Sequence, residues 1–427
     1  MNIFFSSSVF IKQMQVSEWP YCSNKSLPPL LSCSRHGFVA AASFNLLTIY
    51  QNTKKGLKPI SSSKSFEKAI TTISWCNFYD SESMMPLCLL IGFENGNAII
   101  FDIPKFLIST FSLSESPITS SEWSNLYSNH FFIGCQNGDL ISAYLVKSTE
   151  KDADLSVVVS WITSCAFPVE QLHTNHNDCQ MLMVASNQGK FAIYDQIYDD
   201  TPMRLFTGTF EEDEDLHKNV SPTQNVAPMS NSNNNFNSLS NNPNSISSTS
   251  FFDVSDQKHF VQCGFHPHVN DIFYFATQSR IFYGFIKEQT TVALFPSSTF
   301  IRLVGVFFPP SDENAIIVIQ RPSILLLSYT IEKSWKRLCE IPNFMSGAVS
   351  FADCKFEKNS FIVASRGNNL SIVKFYRRKL FYVSFMRNII SKPSKIAVNN
   401  SFNTKIEISF FRFILCFHCE KSKESFS

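Results

Sequence analysis

The stretch ITTISWCNFYDSESMMPLCLLIGFENGNAIIFDI, residues 70–103, decides the fold. It contains three short apolar runs, which predict strands at 70–75, 87–93 and 98–103. Asn95-Gly96 separates the second run from the third. Both residue types tolerate a positive φ, so we predict a two-residue hairpin turn with positive φ at both positions. One such unit is too small to bury its own apolar face, so its repetition along the chain determines the architecture.

The same pattern recurs along the chain. A second copy covers 117–146 with Asn137-Gly138 in its turn, and a third ends at Asp195 with Gln188-Gly189 in its turn. Further copies lie at 260–287, 303–331 and 347–376, and residues 36–51 fit the second half of another unit. About seven units at this spacing, with several short strands each, are typical of a β-propeller.

Two of these units resemble WD40 repeats. In that family a blade strand ends in an aromatic-Asp pair after a glycine-containing turn, and Phe101-Asp102 and Tyr194-Asp195 stand in this place. No unit ends in Trp-Asp or opens with Gly-His, so the polar network of the best-formed repeats is expected to be mostly absent. The resemblance implies an all-β chain that forms a single seven-bladed WD40-like β-propeller with a disordered insertion.

Three segments are also similar to the N-terminal propeller of a family of double-propeller proteins, typified by WD repeat-containing protein eleven. They are residues 75–103, 303–331 and 347–379, the last of which leads a blade strand into Arg377-Arg378. The resemblance implies a role in vesicle tethering at the trans-Golgi network, with protein partners and cargo that carries acidic clusters.

The composition predicts five regions. Residues 221–250 are mostly Ser and Asn and cannot bury enough apolar surface to offset the entropy of ordering them. They belong to a predicted disordered insertion, residues 211–250. This insertion is either a loop that is phosphorylated or binds a partner, or a polar expansion that has no role. The regions are an N-terminal segment that forms a closing strand (1–29), the first part of the propeller (30–210), an acidic and then Ser/Asn-rich disordered insertion (211–250), the second part of the propeller (251–376), and a basic C-terminal segment and tail (377–427).

Charge and hydropathy limit the partners. The net charge of +1 over 427 residues creates no global field for nucleic acid or membrane, so we expect protein partners. No apolar run approaches the ~18 residues of a membrane-spanning helix, so we predict no transmembrane segment and only peripheral membrane association through partners.

One basic cluster departs from this balance. It begins at Arg377, Arg378 and Lys379, includes Arg387, and contains no carboxylate through residue 395. An anionic lipid, an acidic peptide or RNA could dock there, and the alternative is a solvated basic face. The cluster supports a second hypothesis, a nuclear or RNA-associated WD40 scaffold that uses residues 374–395.

Candidate metal ligands and catalytic groups are sparse. Cys416 and Cys419, with His418 between them, have zinc-like spacing, but a closed zinc site needs four ligands and no second pair exists. The sequence contains no phosphate-binding glycine loop and no nucleophile elbow. We therefore predict neither metal, cofactor nor catalysis.

Two histidine clusters have simpler explanations. His266-Pro267-His268 suits the turn between the first two strands of a blade. His173, His176, Asp178 and Cys179 are predicted to share one solvated loop.

Tryptophan and cysteine are predicted to be structural. Trp75, Trp123 and Trp161 each lie in an apparent first strand of a unit, as expected for a core between blades. The 12 Cys fall mostly inside predicted strands without close sequence pairs, which indicates reduced buried thiols. The reduced thiols favour a cytoplasmic location and the absence of catalytic groups favours a non-enzymatic scaffold for protein–protein interactions. The resemblance to the double-propeller family implies that this scaffold acts in vesicle trafficking, peripheral to Golgi or endosomal membranes.

Overall fold

Antiparallel sheets of consecutive strands make up the described part of the chain in this computed structural model. The structure describes residues 3–18, 28–54, 56–60, 64–76, 87–103, 107–147, 155–209, 260–294, 300–321, 323–329, 335–342, 347–365 and 369–383. The chain divides into a large compact unit, residues 13–374, and a small one, residues 1–12 with 375–427. Within the described part of the small unit, residues 3–12 and 375–383 are strands.

Seven sheets follow one another along the sequence, and we call them blades 1 to 7. Blade 1 contains β2 (Leu30–Cys33), β3 (Phe38–Ser43), β4 (Leu46–Thr53), β5 (Gly56–Pro59) and β6 (Lys64–Ser65). Blade 2 contains β7 (Ile70–Trp75), β8 (Cys88–Phe93), β9 (Asn97–Asp102) and β10 (Leu107–Ser112). Blade 3 contains β11 (Ile118–Trp123), β12 (His130–Cys135), β13 (Asp139–Lys147) and β14 (Leu155–Ser164). Blade 4 contains β15 (Gln171–Thr174), β16 (Leu182–Ala185), β17 (Lys190–Asp195) and β18 (Met203–Thr209).

The remaining three blades follow the same plan. Blade 5 contains β19 (Phe260–Phe265), β20 (Ile272–Thr277), β21 (Ile281–Phe285) and β22 (Thr290–Ala293). Blade 6 contains β23 (Leu303–Phe307), β24 (Ala315–Gln320), β25 (Ser323–Tyr329) and β26 (Trp335–Pro342). Blade 7 contains β27 (Ala348–Asp353), β28 (Ser360–Ser365) and β29 (Asn369–Val383), and in the order of its sheet β29 is followed by β1 (Ile3–Glu18).

The first strands of the blades form a closed ring. Each contacts the first strand of the next blade, from β2 through β7, β11, β15, β19 and β23 to β27, and β27 contacts β2 in turn. The prediction of an all-β, seven-bladed propeller is therefore confirmed. The predicted insertion at 211–250 lies outside the described residues.

The core lies between the blades. Second strands such as β8, β12, β24 and β28 are buried at every position, because a neighbouring blade covers each face of the sheet. One apolar cluster joins blade 1 to blade 2, for example, with Leu47 and Ile49 packed against Trp75 and Leu89. Stacking of neighbours therefore supplies the apolar burial that no single unit could achieve alone.

The hairpin turns differ in one respect from the prediction. The Asn95-Gly96 turn has three residues between β8 and β9, and Gly96 has a φ of 79° while Asn95 is not among the residues of positive φ. The Gly96 N–H donates to the Phe93 carbonyl at 3.2 Å, so one tight turn precedes a single left-handed residue. Gly138 and Gly189 are likewise the left-handed residues of their turns, with φ of 94° and 88°, in turns of three and four residues.

The prediction for Trp161 was wrong. Trp75 and Trp123 end the first strands β7 and β11, as predicted, but Trp161 lies in β14, the fourth strand of blade 3. The strand that contains Trp161 pairs with β13 along nine residues, from Asp139 to Lys147. It therefore completes the sheet of blade 3 instead of beginning blade 4. The first strand of blade 4 is β15, ten residues further on.

Candidate functional site

Strand direction gives the propeller unit two distinct faces. Each first strand runs toward the loop that joins it to the second strand, and we call that side the mouth face. Its described loops are 34–37, 124–129, 175–181, 266–271, 308–314 and 354–359. The turns between second and third strands lie at the opposite end, which we call the hairpin face. There the structure places three predicted turns, Asn95-Gly96, Asn137-Gly138 and Gln188-Gly189.

A cavity of about 940 Å³ lies inside the ring of first strands and opens on the mouth face. All seven first strands contribute to its wall. Residues of the mouth loops, including Arg35, Asn125, His176 and Lys358, line its opening. It is therefore the central channel of the propeller, a place where ligands and partners commonly bind on folds of this kind.

One position repeats around the channel. The penultimate residue of every first strand lines the cavity, and these residues are Ser32, Ser74, Glu122, His173, Gly264, Val306 and Ala352. Only two of the seven are titratable, and they lie on the neighbouring blades 3 and 4. Glu122 and His173 are therefore the two positions of this ring that can change charge with pH.

Hydrogen bonds between blades hold this wall in place. The indole N–H of Trp123 donates to the Ser74 carbonyl at 2.9 Å, and the indole of Trp75 repeats the contact to Ser32 at 3.2 Å. The Asn125 amide donates to the Thr174 hydroxyl at 2.5 Å, which ties the mouth loop of blade 3 to the first strand of blade 4. The positions of Glu122 and His173 thus depend on contacts to the preceding and following blades.

The channel environment changes the protonation of both groups. Burial raises the pKa of Glu122 from 4.5 to about 7, although the nearby Lys355 ammonium acts in the opposite direction. Burial, followed by the charge of Lys355, lowers the pKa of His173 to about 4. At neutral pH His173 is therefore uncharged and Glu122 is close to half protonated.

Cations dominate the rim of the mouth. Desolvation lowers the pKa of His176 to about 3, and Lys355, Arg35 and His173 add to the effect. Desolvation also raises the pKa of Asp353, and Lys355 partly offsets this. The charge of Lys355 thus acts on Glu122, His173, His176 and Asp353. The opening is suited to polar, charge-bearing side chains from a partner rather than to an apolar ligand alone.

The two predicted histidine clusters lie in different kinds of structure. His266 and His268 lie in the loop between β19 and β20, which confirms the predicted turn, and their rings are 5.8 Å apart. His173, however, lies on β15 rather than in a loop, and it lines the channel together with His176 and Cys179. Nowhere in the described ranges do three or more His, Cys, Asp or Glu side chains form a group that could hold a metal ion.

The predicted basic patch falls partly on described backbone. Arg377, Arg378 and Lys379 lie on β29, which continues through them to Val383. Arg387 and the Cys416–Cys419 motif lie outside the described residues. Among the described residues there is no helix that is long and apolar enough to cross a membrane.

Four charged residues of the channel were not predicted as site residues from the sequence, namely Glu122, Asp353, Lys355 and Arg35. Sequence reasoning treated first strands as core, because ITSSEW and ITTISW carry the same buried tryptophan. The signal that could have found Glu122 is its place one residue before that tryptophan. Lys355 had no such signal, since its neighbours in the channel belong to distant blades.

The comparisons with known proteins establish the fold. No protein-family model and no curated protein matches the chain. A chain of the solved structure titled "Crystal Structure of Mitotic Checkpoint Complex" is similar, with a TM-score of 0.56 and 12% sequence identity. The match covers 84% of this chain and 93% of that chain. Since a fold shared at this identity hosts many functions, the likeness supports the propeller and leaves the function to the site.

Glu122 predicts a measurable pH dependence of stability. Its folded-state pKa lies above its unfolded value, so the stability that it contributes below pH 4.5 is lost as the pH rises through 7. We expect Glu122→Gln to raise the free energy of unfolding by about 2 kcal/mol at pH 8 and to leave it unchanged at pH 4. Urea unfolding at both pH values checks this. Equal effects at the two pH values would contradict it.

Proposed function

We propose that this chain is a non-enzymatic scaffold whose mouth face binds other proteins. The observation that carries the proposal is the open channel mouth, where the charged groups Arg35, Lys355 and Lys358 of the neighbouring blades 1 and 7 lie beside an apolar wall that includes Val306. Interfaces combine an apolar centre with a polar rim in this way. The propeller fold is typical of scaffolds, and the similar solved chain comes from a structure whose title names a complex.

A glutamate introduced on either the mouth face or the hairpin face tests the proposal. Lys358 is exposed at the mouth and Gln188 is exposed in a hairpin turn, so a glutamate at either position should leave the core unchanged. We expect Lys358→Glu to reduce recovery of specific partners by about fivefold or more, because charge reversal at an interface rim slows association. Quantitative affinity purification with the Gln188→Glu chain as the matched control measures this. Loss with the control and retention with Lys358→Glu would place binding on the other face.

We propose further that the scaffold works in vesicle trafficking, in the cytoplasm and at the periphery of trans-Golgi or endosomal membranes. The similarity of residues 75–103, 303–331 and 347–379 to the double-propeller family supports this role. Membrane association would then go through protein partners. Proximity labelling in the source cell should enrich Golgi and endosomal coat or tether proteins, and enrichment of nuclear proteins instead would overturn this assignment.

A nuclear or RNA-associated scaffold is the second candidate, and the run Arg377-Arg378-Lys379 on β29 favours it. Binding through such a cluster would depend steeply on salt, because the cations release counterions from phosphates. Replacement of Arg377 and Arg378 by Ala should then abolish RNA binding in a filter-binding assay at low salt. Binding that is absent, or insensitive to salt, would eliminate this candidate.

A further inference from the structure

Two cysteines that are far apart in the sequence meet at the seam of the ring. Cys33 is the last residue of β2 in blade 1, and Cys354 directly follows β27 in blade 7. These two first strands are in contact, and their contact closes the ring between the last blade and the first. Both side chains belong to one apolar cluster between the two blades, together with Val39, Tyr50 and Ile362.

The two cysteines lie close together on the wall of the channel. The backbone N–H of Lys355, the residue after Cys354, donates to the Cys33 sulfur at 3.4 Å. Cys33 is 4% exposed and Cys354 is 7% exposed, and both contribute to the cavity wall. A small solute that enters the channel therefore comes next to both cysteines.

The surroundings favour a thiolate on Cys33. Burial acts to raise its pKa, but the hydrogen bonds from Cys354, Lys355 and Phe356 and the charge of Lys355 lower the pKa overall. The hydrogen bond to Cys33, followed by burial, raises the pKa of Cys354. The lowered pKa favours Cys33 as the attacking sulfur, although its thiol also donates to the Ser34 carbonyl at 3.7 Å.

We propose that Cys33 and Cys354 form a reversible disulfide that covalently joins blade 1 to blade 7 when a peroxide enters the channel mouth. The bond would be a modification site built into the ring closure. A disulfide brings the sulfurs to about 2.05 Å, and the contact from the Lys355 N–H already places the Cys33 sulfur beside the backbone that directly follows Cys354.

The chemistry balances with hydrogen peroxide as the oxidant. The Cys33 thiolate attacks one peroxide oxygen, the O–O bond breaks, and the departing hydroxide takes a proton to leave as water. The Cys354 sulfur then attacks the resulting sulfenic acid. The S–S bond forms, the S–O bond breaks, and a second water leaves with the Cys354 proton. Two thiols lose two electrons, one peroxide gains them, and a thiol reductant reverses the reaction.

Peptide mapping of the full chain tests the proposal directly. The reduced protein is treated with about a tenfold excess of hydrogen peroxide, the remaining thiols are alkylated, and the protein is digested with trypsin without reduction. We expect a peptide of residues 26–35 linked to one of residues 338–355, which disappears after reduction. Separate alkylation of both cysteines, or a sulfinic acid on Cys33 without a link, would overturn the proposal. This measurement does not require any variant to fold.

Matched variants assign the link and its effect. Peptide 338–355 also contains Cys339, so Cys354→Ser should abolish the link while Cys339→Ser retains it. Cys76→Ser is the positional control, because Cys76 follows the first strand of blade 2 as Cys354 follows that of blade 7. Oxidation should raise the thermal midpoint of the unaltered chain and of Cys76→Ser by about 5 °C, because the link closes a very long loop. No shift in either, despite a complete link, would show that the bond does not secure the seam.

Discussion

Trp123→Ala should lower the free energy of unfolding by about 4 kcal/mol, the largest effect that we expect from a single truncation. The side chain is 3% exposed and its ring packs 5.3 Å from Phe131 within the cluster that joins blades 2 and 3. Truncation therefore leaves a cavity between two blades. It also removes the donor to the Ser74 carbonyl, which is buried in the channel wall. Urea unfolding monitored by far-UV circular dichroism, a signal of the backbone that does not need the removed tryptophan, measures the loss of stability.

Two variants separate the contributions of ring and hydrogen bond. Trp123→Phe keeps most of the apolar volume and loses the indole N–H, so its cost should be about half that of Trp123→Ala. Tyr127 lies four residues further on and is 49% exposed, so Tyr127→Ala should cost less than about 1 kcal/mol. A loss for Trp123→Ala no larger than that for Tyr127→Ala would mean that blade stacking does not depend on this contact.

The strands of the propeller could be predicted because their signals are local. In blade 2 the predicted strand at 70–75 has the observed bounds, the one at 87–93 begins one residue later, and the one at 98–103 begins and ends one residue earlier. Apolar runs on both sides of a glycine turn suffice for this. Positive φ at Asn95 was wrong because a three-residue turn needs only one left-handed residue, and Gly96 supplies it.

Pairing beyond the local hairpin and contacts between blades could not be predicted in the same way. Trp161 belongs to β14 because pairing with β13 extends that hairpin, and its indole then reaches the Ile197 carbonyl of blade 4 at 3.0 Å. The channel is a longer-range property still. Lys355 influences Glu122 and His173 only because ring closure brings blade 7 opposite blades 3 and 4. Local sequence patterns contain no information on such contacts.

Gly96→Ala should lower the free energy of unfolding by about 3 kcal/mol, because two independent constraints meet at this turn. The φ of 79° is strained for any residue with a Cβ, and an added Cβ would lie 2.0 Å from the Ser114 carbonyl oxygen, which is backbone and cannot rotate away. Gly37 separates the two constraints, since its φ is 84° but an added Cβ would meet only the Asn52 Cβ, at 3.6 Å. Gly37→Ala should therefore show the cost of φ alone, about 1 kcal/mol. Urea unfolding of both variants measures the difference. Because Ser114 lies on the segment that leads from blade 2 into blade 3, equal losses would mean that the turn does not hold that connection in place.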